Sequence, residues 1–196
     1  MATLTQIVAA YKRDHQSGAA QERRWFATQR NFRDAVDLAA LALTPGRKRF
    51  SHQRRIPGGV LAEAKRILLA NLTQLAAADS FKSLHAEIER LVGPVHGIGE
   101  LYVYDTALRI GAYRSLSPKS VYIHAGVRVG ARNLGLDPGR NGRVAIGDLP
   151  APLRSLEAYE VEDILCIYKD QLAGAAMAQR RACSGHGGSA RRRIVC

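Results

Sequence analysis

The strongest structural signal in the chain lies in residues 81–110, which read FKSLHAEIERLVGPVHGIGELYVYDTALRI. On both sides of a central segment, apolar residues recur at three- and four-residue steps, the period of amphipathic helices. The central segment, Gly93–Gly99, is too rich in glycine and proline to be helical. The sequence therefore predicts two helices joined by a tight turn, with Asp79 or Ser80 capping the first.

The turn between these helices has the chemistry of a phosphate site. Gly97 and Gly99 let the backbone turn tightly and approach a surface without side-chain obstruction. The second helix would begin just after Gly99, so its first N–H groups and its dipole could bind a phosphate oxygen. This predicts a backbone-contact site at Gly97, Ile98, Gly99 and Glu100.

Helical spacing also dominates the rest of the chain, and strict alternation is scarce. Further helices are predicted to begin near Leu4, near Phe32, at Val60 (running to Ala78), at Ser117 (running to Leu134) and at Leu153 (running to Leu172). A short extended piece is predicted at Val144–Ile146. We therefore predict an all-α protein, with a single helical domain over residues 1–176. A flexible basic tail is predicted over residues 177–196.

The composition is strongly basic. Lys and Arg number 29 against 17 Asp and Glu, so the 196-residue chain carries a formal net charge of +12. Nucleic acid, an anionic membrane surface and an acidic protein would all be attracted by such an excess. No apolar run approaches the roughly 20 residues of a spanning helix. No helical pattern combines an apolar face with a basic rim and aromatic anchors, so we predict no membrane association.

The cysteines and the N-terminus indicate the compartment. The N-terminus lacks the basic region, apolar core and cleavage site of an exported protein. The cysteines are three in number with no close pair, which fits a reducing cytoplasm. Cys183, His186 and Cys196 lack the spacing and the fourth ligand of a zinc site, and Cys166 is predicted to be a core residue. The sequence thus predicts a cytoplasmic protein with neither a metal nor a cofactor.

Two groups of basic residues have different interpretations. Backbone contact is predicted for four residues that follow the turn along the chain: Arg114, Lys119, Arg128 and Arg132. The segment Arg47–Arg55 carries five Lys and Arg residues, His52 and no acid, and it is interpreted as a solvated loop. Nearby aromatic residues could stack on an extruded base or fill a core: Tyr102, Tyr104, Tyr113 and Tyr122.

The turn and its flanking helices resemble the helix-hairpin-helix motif of the DNA glycosylase superfamily. The stretch Ile123–Gly135, IHAGVRVGARNLG, is similar to the segment in which those enzymes place a catalytic Asp at the start of a helix. The stretch Glu162–Tyr168 is similar to their closing helix. The likeness covers roughly residues 60–172, and it implies a helical DNA-binding fold related to base-excision repair.

The resemblance places His124 where the family has its catalytic Asp, and Leu101 where the bifunctional members have a lysine nucleophile. No four-cysteine cluster for iron–sulfur follows. His124 could act as a general base or an electrophilic donor, or be a histidine satisfied by a neighbour. Asp105 could activate water if it faces a pocket. Its alternatives are a solvated face or an i,i+4 pair with Arg109.

Three functions are compatible with these patterns. The favoured one is a helix-hairpin-helix protein that contacts the phosphate backbone of double-stranded DNA and is related in fold to base-excision glycosylases. The second is an active monofunctional DNA N-glycosylase, which requires Tyr104, Asp105 and His124 to line one pocket. The third is a non-catalytic interaction module that binds an acidic protein.

Overall fold

The computed structural model describes residues 2–139 and 142–175. It is predominantly helical, which confirms the all-α prediction. The helices are α1 (Leu4–Asp14), α2 (Gln16–Ala27), α3 (Phe32–Ala40), α4 (Gly58–Ala70), α5 (Leu72–Ala77), α6 (Phe81–Val92), α7 (Glu100–Tyr113), α8 (Arg128–Leu134) and α9 (Ala158–Ile167). Two short strands, β1 (Ser120–Tyr122) and β2 (Arg143–Ala145), pair with each other. The predicted tail, residues 177–196, lies outside the described residues.

The contacts within the chain divide it into two compact units. The first unit consists of Met1–Ser17 together with Lys119–Cys196, and the second consists of Gly18–Pro118. The predicted single domain over residues 1–176 stays a prediction.

The second unit is a helical bundle in which α3, α4, α6 and α7 pack on one another. Its helices bury the apolar residues that their period predicts, including Val36, Leu61, Leu68, Leu84, Ile88 and Ile110. Ser80 caps α6 through a reciprocal pair of bonds with Ser83, which confirms the predicted cap. Tyr102 is buried and its hydroxyl donates to the Ala40 carbonyl at 2.8 Å, so α7 is fixed to the end of α3.

The first unit combines helices with the two-stranded sheet. The strands run antiparallel, with Val121 opposite Val144, and α9 packs against β1, α8 and α1. Tyr11 of α1 is fully buried, and its hydroxyl donates to Asp163 Oδ2 at 2.8 Å. Burial and the neighbouring carboxylate raise the pKa of Tyr11 far above its ordinary value, so this phenol stays protonated and holds α1 to α9.

The helix predicted from Ser117 to Leu134 is wrong in its first half. Residues 120–122 form β1, and α8 begins only at Arg128. Val121 and Ile123 are β-branched and Tyr122 is aromatic, which suits a strand. Their pairing partner, β2, comes about twenty residues later in the chain, so the helical period of the segment alone could not reveal it. His124 consequently lies between β1 and α8 and not on a helix.

Other helix bounds also differ from the predictions. The predicted Val60–Ala78 helix is divided at Asn71, whose side-chain amide donates to the Ile67 carbonyl at 2.8 Å and ends α4. The stretch after α1, for which no helix was predicted, contains α2. The helix predicted from Leu153 to Leu172 begins only at Ala158, because Glu157 and Glu160 form a capping box there. It is interrupted by a turn at Tyr168, after which residues 169–175 are again helical. Cys166 is exposed, so its predicted core position is wrong.

Candidate nucleic-acid interface

The glycine turn, residues Gly93–Gly99, joins α6 to α7 in the second unit. Gly97 has a φ of +92°, in the left-handed region that favours glycine. Gly99 is the N-cap of α7 in extended conformation, with φ −120° and ψ 173°, and has no side chain that could cap the helix. Gly97, Gly99 and Glu100 are exposed. α7 therefore begins directly after an exposed glycine turn, as the sequence predicts. The phosphate contact at this turn stays a prediction.

The start of α4 lies against the glycine turn. A Cβ atom added to Gly97 would lie 3.4 Å from Val60 Cγ2, in the first turn of α4. One added to Gly58, where α4 begins, would lie 3.2 Å from Arg49 Nη2. These contacts join Arg49, the start of α4 and the glycine turn into one continuous region of the second unit.

The basic loop, residues Arg47–Arg55, is ordered by backbone bonds. Leu43 and Arg49 form an antiparallel bridge, and the Phe50 amide donates to the Ala42 carbonyl at 3.0 Å. Arg49 Nη1 donates to the Ile56 carbonyl at 2.7 Å, which closes the far end of the loop. The interpretation as a solvated loop is therefore incomplete, because this segment has a fixed conformation and an inner face.

The inner face of the basic loop docks on α7 through Asp105. His52 Nε2 and Gln53 Nε2 both donate to Asp105 Oδ2, at 2.8 Å and 2.7 Å. Arg109, one turn further along α7, donates through Nη1 to Gln53 Oε1 at 2.9 Å. Its guanidinium carbon lies 4.0 Å from the centre of the Phe50 ring. Three side chains of the loop, Phe50, His52 and Gln53, are thus contacted by two residues of one helix face.

The network continues to α2 and is largely buried. Arg109 Nε donates to Glu22 Oε1 at 3.2 Å, and the Arg109 side chain is 4% exposed. Gln53 is 1% exposed. The predicted i,i+4 pair is present, with 3.7 Å between Arg109 Nη2 and Asp105 Oδ2. The alternative of a solvated face is wrong for Asp105, because its side chain is only 13% exposed.

His124, the other predicted catalytic residue, is also engaged by neighbours. It is buried in the first unit, and its Nε2 donates to Glu162 Oε1 at 2.9 Å. The Gly126 amide donates to its Nδ1 at 3.3 Å. Both ring nitrogens therefore have partners within the protein, which fits the interpretation of a histidine satisfied by its neighbours. Its catalytic role, like that of Asp105, stays a prediction.

The four tyrosines considered for base stacking differ in burial. Tyr102 and Tyr104 are fully buried in the second unit, and burial raises the pKa of Tyr102 to about 12. Tyr113 packs on Phe32, and Tyr122 carries the Arg143 guanidinium over its ring at 4.8 Å. The core interpretation is confirmed for Tyr102, Tyr104 and Tyr122, which are buried and therefore not exposed for stacking on a base.

The basic residues predicted to contact a backbone have different surroundings. Arg114 donates to the carbonyls of Leu75 and Ala78 at the end of α5 and lies over the Phe32 ring. These contacts give Arg114 a structural role, because they satisfy carbonyls that the helix leaves without partners. Lys119, Arg128 and Arg132 are exposed and belong to the first unit, whereas the glycine turn belongs to the second.

An open groove of about 570 Å³ lies on the second unit, lined by Arg33, Leu41, Ala62, Lys65, Arg66, Leu69 and Ala70. It contains none of the predicted site residues. Within residues 2–139 and 142–175, no group of three or more His, Cys, Asp and Glu side chains could hold a metal ion. None of the helices in the same ranges combines the length and the hydropathy of a membrane-spanning segment. Cys183, His186 and Cys196 lie outside the described residues.

The pH dependence of the loop contact follows from His52. The hydrogen bond and the charge of Asp105 raise the pKa of His52, against the effects of partial burial and of Arg109, while Glu22 acts with Asp105. A raised pKa in the folded state stabilises the protein fully below the unfolded-state value of about 6.5. That stabilisation is lost as the pH rises through the folded-state pKa.

We therefore expect the stability advantage of the native chain over His52→Gln to be larger at pH 5.5 than at pH 8.5. Glutamine keeps a donor for Asp105 but does not titrate. Because the His52 side chain is 45% exposed, the advantage should stay below about 1 kcal/mol. Urea unfolding of both proteins at several pH values measures it, and a difference that is independent of pH would contradict the assignment.

Three comparisons, with models of protein families, with curated proteins and with solved structures, find no significant match to this chain.

Proposed function

We propose that the protein binds the phosphate backbone of double-stranded DNA through the glycine turn, in the manner of a helix-hairpin-helix motif. The observation that carries this proposal is the turn with the exposed Gly97 and Gly99, which leads directly into the N-terminus of α7. Backbone amides and the positive end of the helix dipole together favour an anion at this position. The resemblance to the DNA glycosylase superfamily supports the same assignment.

Charge supports a nucleic acid as the partner. The net charge of +12 favours association with polyanions, and contacts to phosphates carry no sequence information by themselves. Binding should therefore be largely independent of base sequence and should weaken steeply as salt increases. The surroundings of His124 and Asp105 lead us to propose binding without assigning base excision to either residue.

The decisive variant is Gly99→Asp, measured by binding to a labelled 20-bp duplex across a salt series. It places a carboxylate at the phosphate position, so affinity at low salt should fall at least about tenfold, or 1.4 kcal/mol. Nothing lies within 4 Å of a Cβ at Gly99, and its φ of −120° suits any residue. Aspartate is also a preferred N-cap, so stability should stay equal or rise by up to about 0.5 kcal/mol.

Two control variants separate the local effect from the change in net charge. Gly18→Asp adds the same charge at an exposed position of α2 with nothing within 4 Å. Gly99→Ser adds a neutral cap at the same site. Both should bind like the native chain. Equal losses in Gly99→Asp and Gly18→Asp would contradict the turn as the contact, and no duplex binding by the native chain at low salt would contradict the proposed function. Gly97→Asp is unsuitable because of the positive φ and the Val60 contact.

A further inference from the structure

The outer face of the basic loop carries four cations without carboxylate partners. Arg47, Lys48, Arg54 and Arg55 are exposed, and none of them forms an ion pair among the residues that the structure describes. Lys65, Arg66 and Arg90, on helices of the same unit, each have a carboxylate oxygen at 2.6 Å. The loop thus concentrates positive charge that the protein itself does not neutralise.

The carboxylates nearest to the loop are used on its inner face. Asp105 accepts from His52 and Gln53, and Glu22 accepts from Arg109. The fixed inner face orders the loop before any partner arrives, so little conformational entropy has to be lost when its cations bind. An ordered outer face with excess positive charge is complementary to a regular array of anions.

This surface continues into the glycine turn. Arg49, in the middle of the loop, lies beside Gly58 at the start of α4, and Val60, in the same first turn of α4, lies beside Gly97. The loop, the first turn of α4 and the glycine turn therefore form one connected region of the second unit. No carboxylate occurs between Asp37 and Glu63 in the sequence, so the loop and the first turn of α4 carry no acid, and the exposed Glu100 lies at the start of α7.

We propose that the basic loop is a second phosphate-binding element, in which Arg47, Lys48, Arg54 and Arg55 contact the backbone of the same nucleic acid that the glycine turn binds. This inference rests on the proposed function for its partner. The array of phosphates, one negative charge per 1.7 Å of duplex axis, matches cations placed on a rigid loop. An acidic protein is the other polyanion that could occupy it, and the experiment distinguishes the two.

The test uses the full chain and a labelled 20-bp duplex between 50 and 200 mM salt. One variant combines Arg47→Ala, Lys48→Ala, Arg54→Ala and Arg55→Ala. A matched variant combines Arg30→Ala, Lys65→Ala, Arg66→Ala and Arg90→Ala, which removes the same charge from cations with carboxylate partners. The plot of log affinity against log salt has a negative slope, and each lost phosphate contact makes that slope shallower by about 0.9. The slope should therefore be shallower by roughly 2 to 4 for the loop variant, and by less than about 1 for the matched variant.

Equal slope changes in the two variants would overturn the inference, because they would show a response to net charge alone. A loop variant that binds the duplex like the native chain would also overturn it, and would leave the loop to an acidic protein. A loss in the loop variant together with native binding by Gly99→Asp would contradict the turn as a contact but support the loop. A loss of affinity in Gly99→Asp together with native binding by the loop variant would support the turn as a contact and contradict the loop. The two proposals can therefore fail separately.

Discussion

Arg109→Ala is expected to lower the free energy of unfolding by about 3 to 5 kcal/mol. The Arg109 side chain is 4% exposed and interacts with Glu22, Gln53 and Asp105. Its removal leaves the Asp105 carboxylate, itself 13% exposed, without its cationic neighbour. It also leaves a space beside the Phe50 ring. Equilibrium unfolding in urea, followed by far-ultraviolet circular dichroism, measures the loss.

The loss should depend on the shape of the guanidinium as well as on its charge. Arg109→Lys keeps a cation but loses the planar fork and the stacking on Phe50, so we expect an intermediate loss. The control is Arg90→Ala, which removes an exposed i,i+3 pair with Glu87 and should cost less than about 0.5 kcal/mol. If Arg109→Ala cost no more than Arg90→Ala, the network would not hold the basic loop on α7.

A double-mutant cycle tests whether Asp105 and Arg109 act together. Asp105→Asn removes the charge that Arg109 faces while keeping an oxygen that can accept from His52 or Gln53. If the pair is coupled, Arg109→Ala should cost less in the Asp105→Asn background than in the native chain, because the buried carboxylate is no longer left without its cation. Independent effects would show that Arg109 acts through Gln53 and Phe50 instead.

The fold could be predicted from the sequence wherever a helix follows from its own period. The residues that give α1, α3, α6 and α7 recur at three- and four-residue steps, and each of these helices lies close to its predicted position. The failures occur where a distant partner decides the conformation. Val121 pairs with Val144 across 22 intervening residues, and no local period reports such a contact. Asn71 ends α4 through a hydrogen bond of its own side chain, and the spacing of apolar residues does not predict where such a bond forms.

The glycine turn could be predicted because it is a local feature, but the basic loop could not. The charges of Arg47–Arg55 are visible in the sequence, whereas its inner face depends on Asp105 and Arg109, more than 50 positions away. One feature of the sequence does indicate an inner face: Phe50 and Gln53 lie among the cations of the loop, and an apolar ring is not expected in a fully solvated segment. The pairing of Asp105 with Arg109 could be predicted from their i,i+4 spacing, but the other partners of Asp105, His52 and Gln53, come from that loop.

Gly130→Ala is expected to lower the free energy of unfolding by about 2 kcal/mol, through the contact of α8 with α9. A Cβ at Gly130 would overlap the Leu165 carbonyl oxygen and lie 2.8 Å from its carbon. Both sides of this contact are helix backbone, so no flexible side chain can move aside, and α8 has to separate from α9. Overpacking of this kind usually costs about 1 to 3 kcal/mol and occasionally more, while alanine regains about 1 kcal/mol in helix propensity.

Gly147→Ala in the same unit is the matched control, because nothing lies within 4 Å of its Cβ position. Its free energy of unfolding in urea should stay within about 0.5 kcal/mol of that of the native chain. The separation of α8 from α9 should also disturb the neighbourhood of His124, which lies just before α8 and bonds to Glu162 of α9. Amide hydrogen exchange should therefore rise in α8 and α9 of Gly130→Ala before it rises in α6 and α7 of the second unit. Equal changes in both units, or native stability, would show that the close contact at Gly130 does not hold α8 on α9.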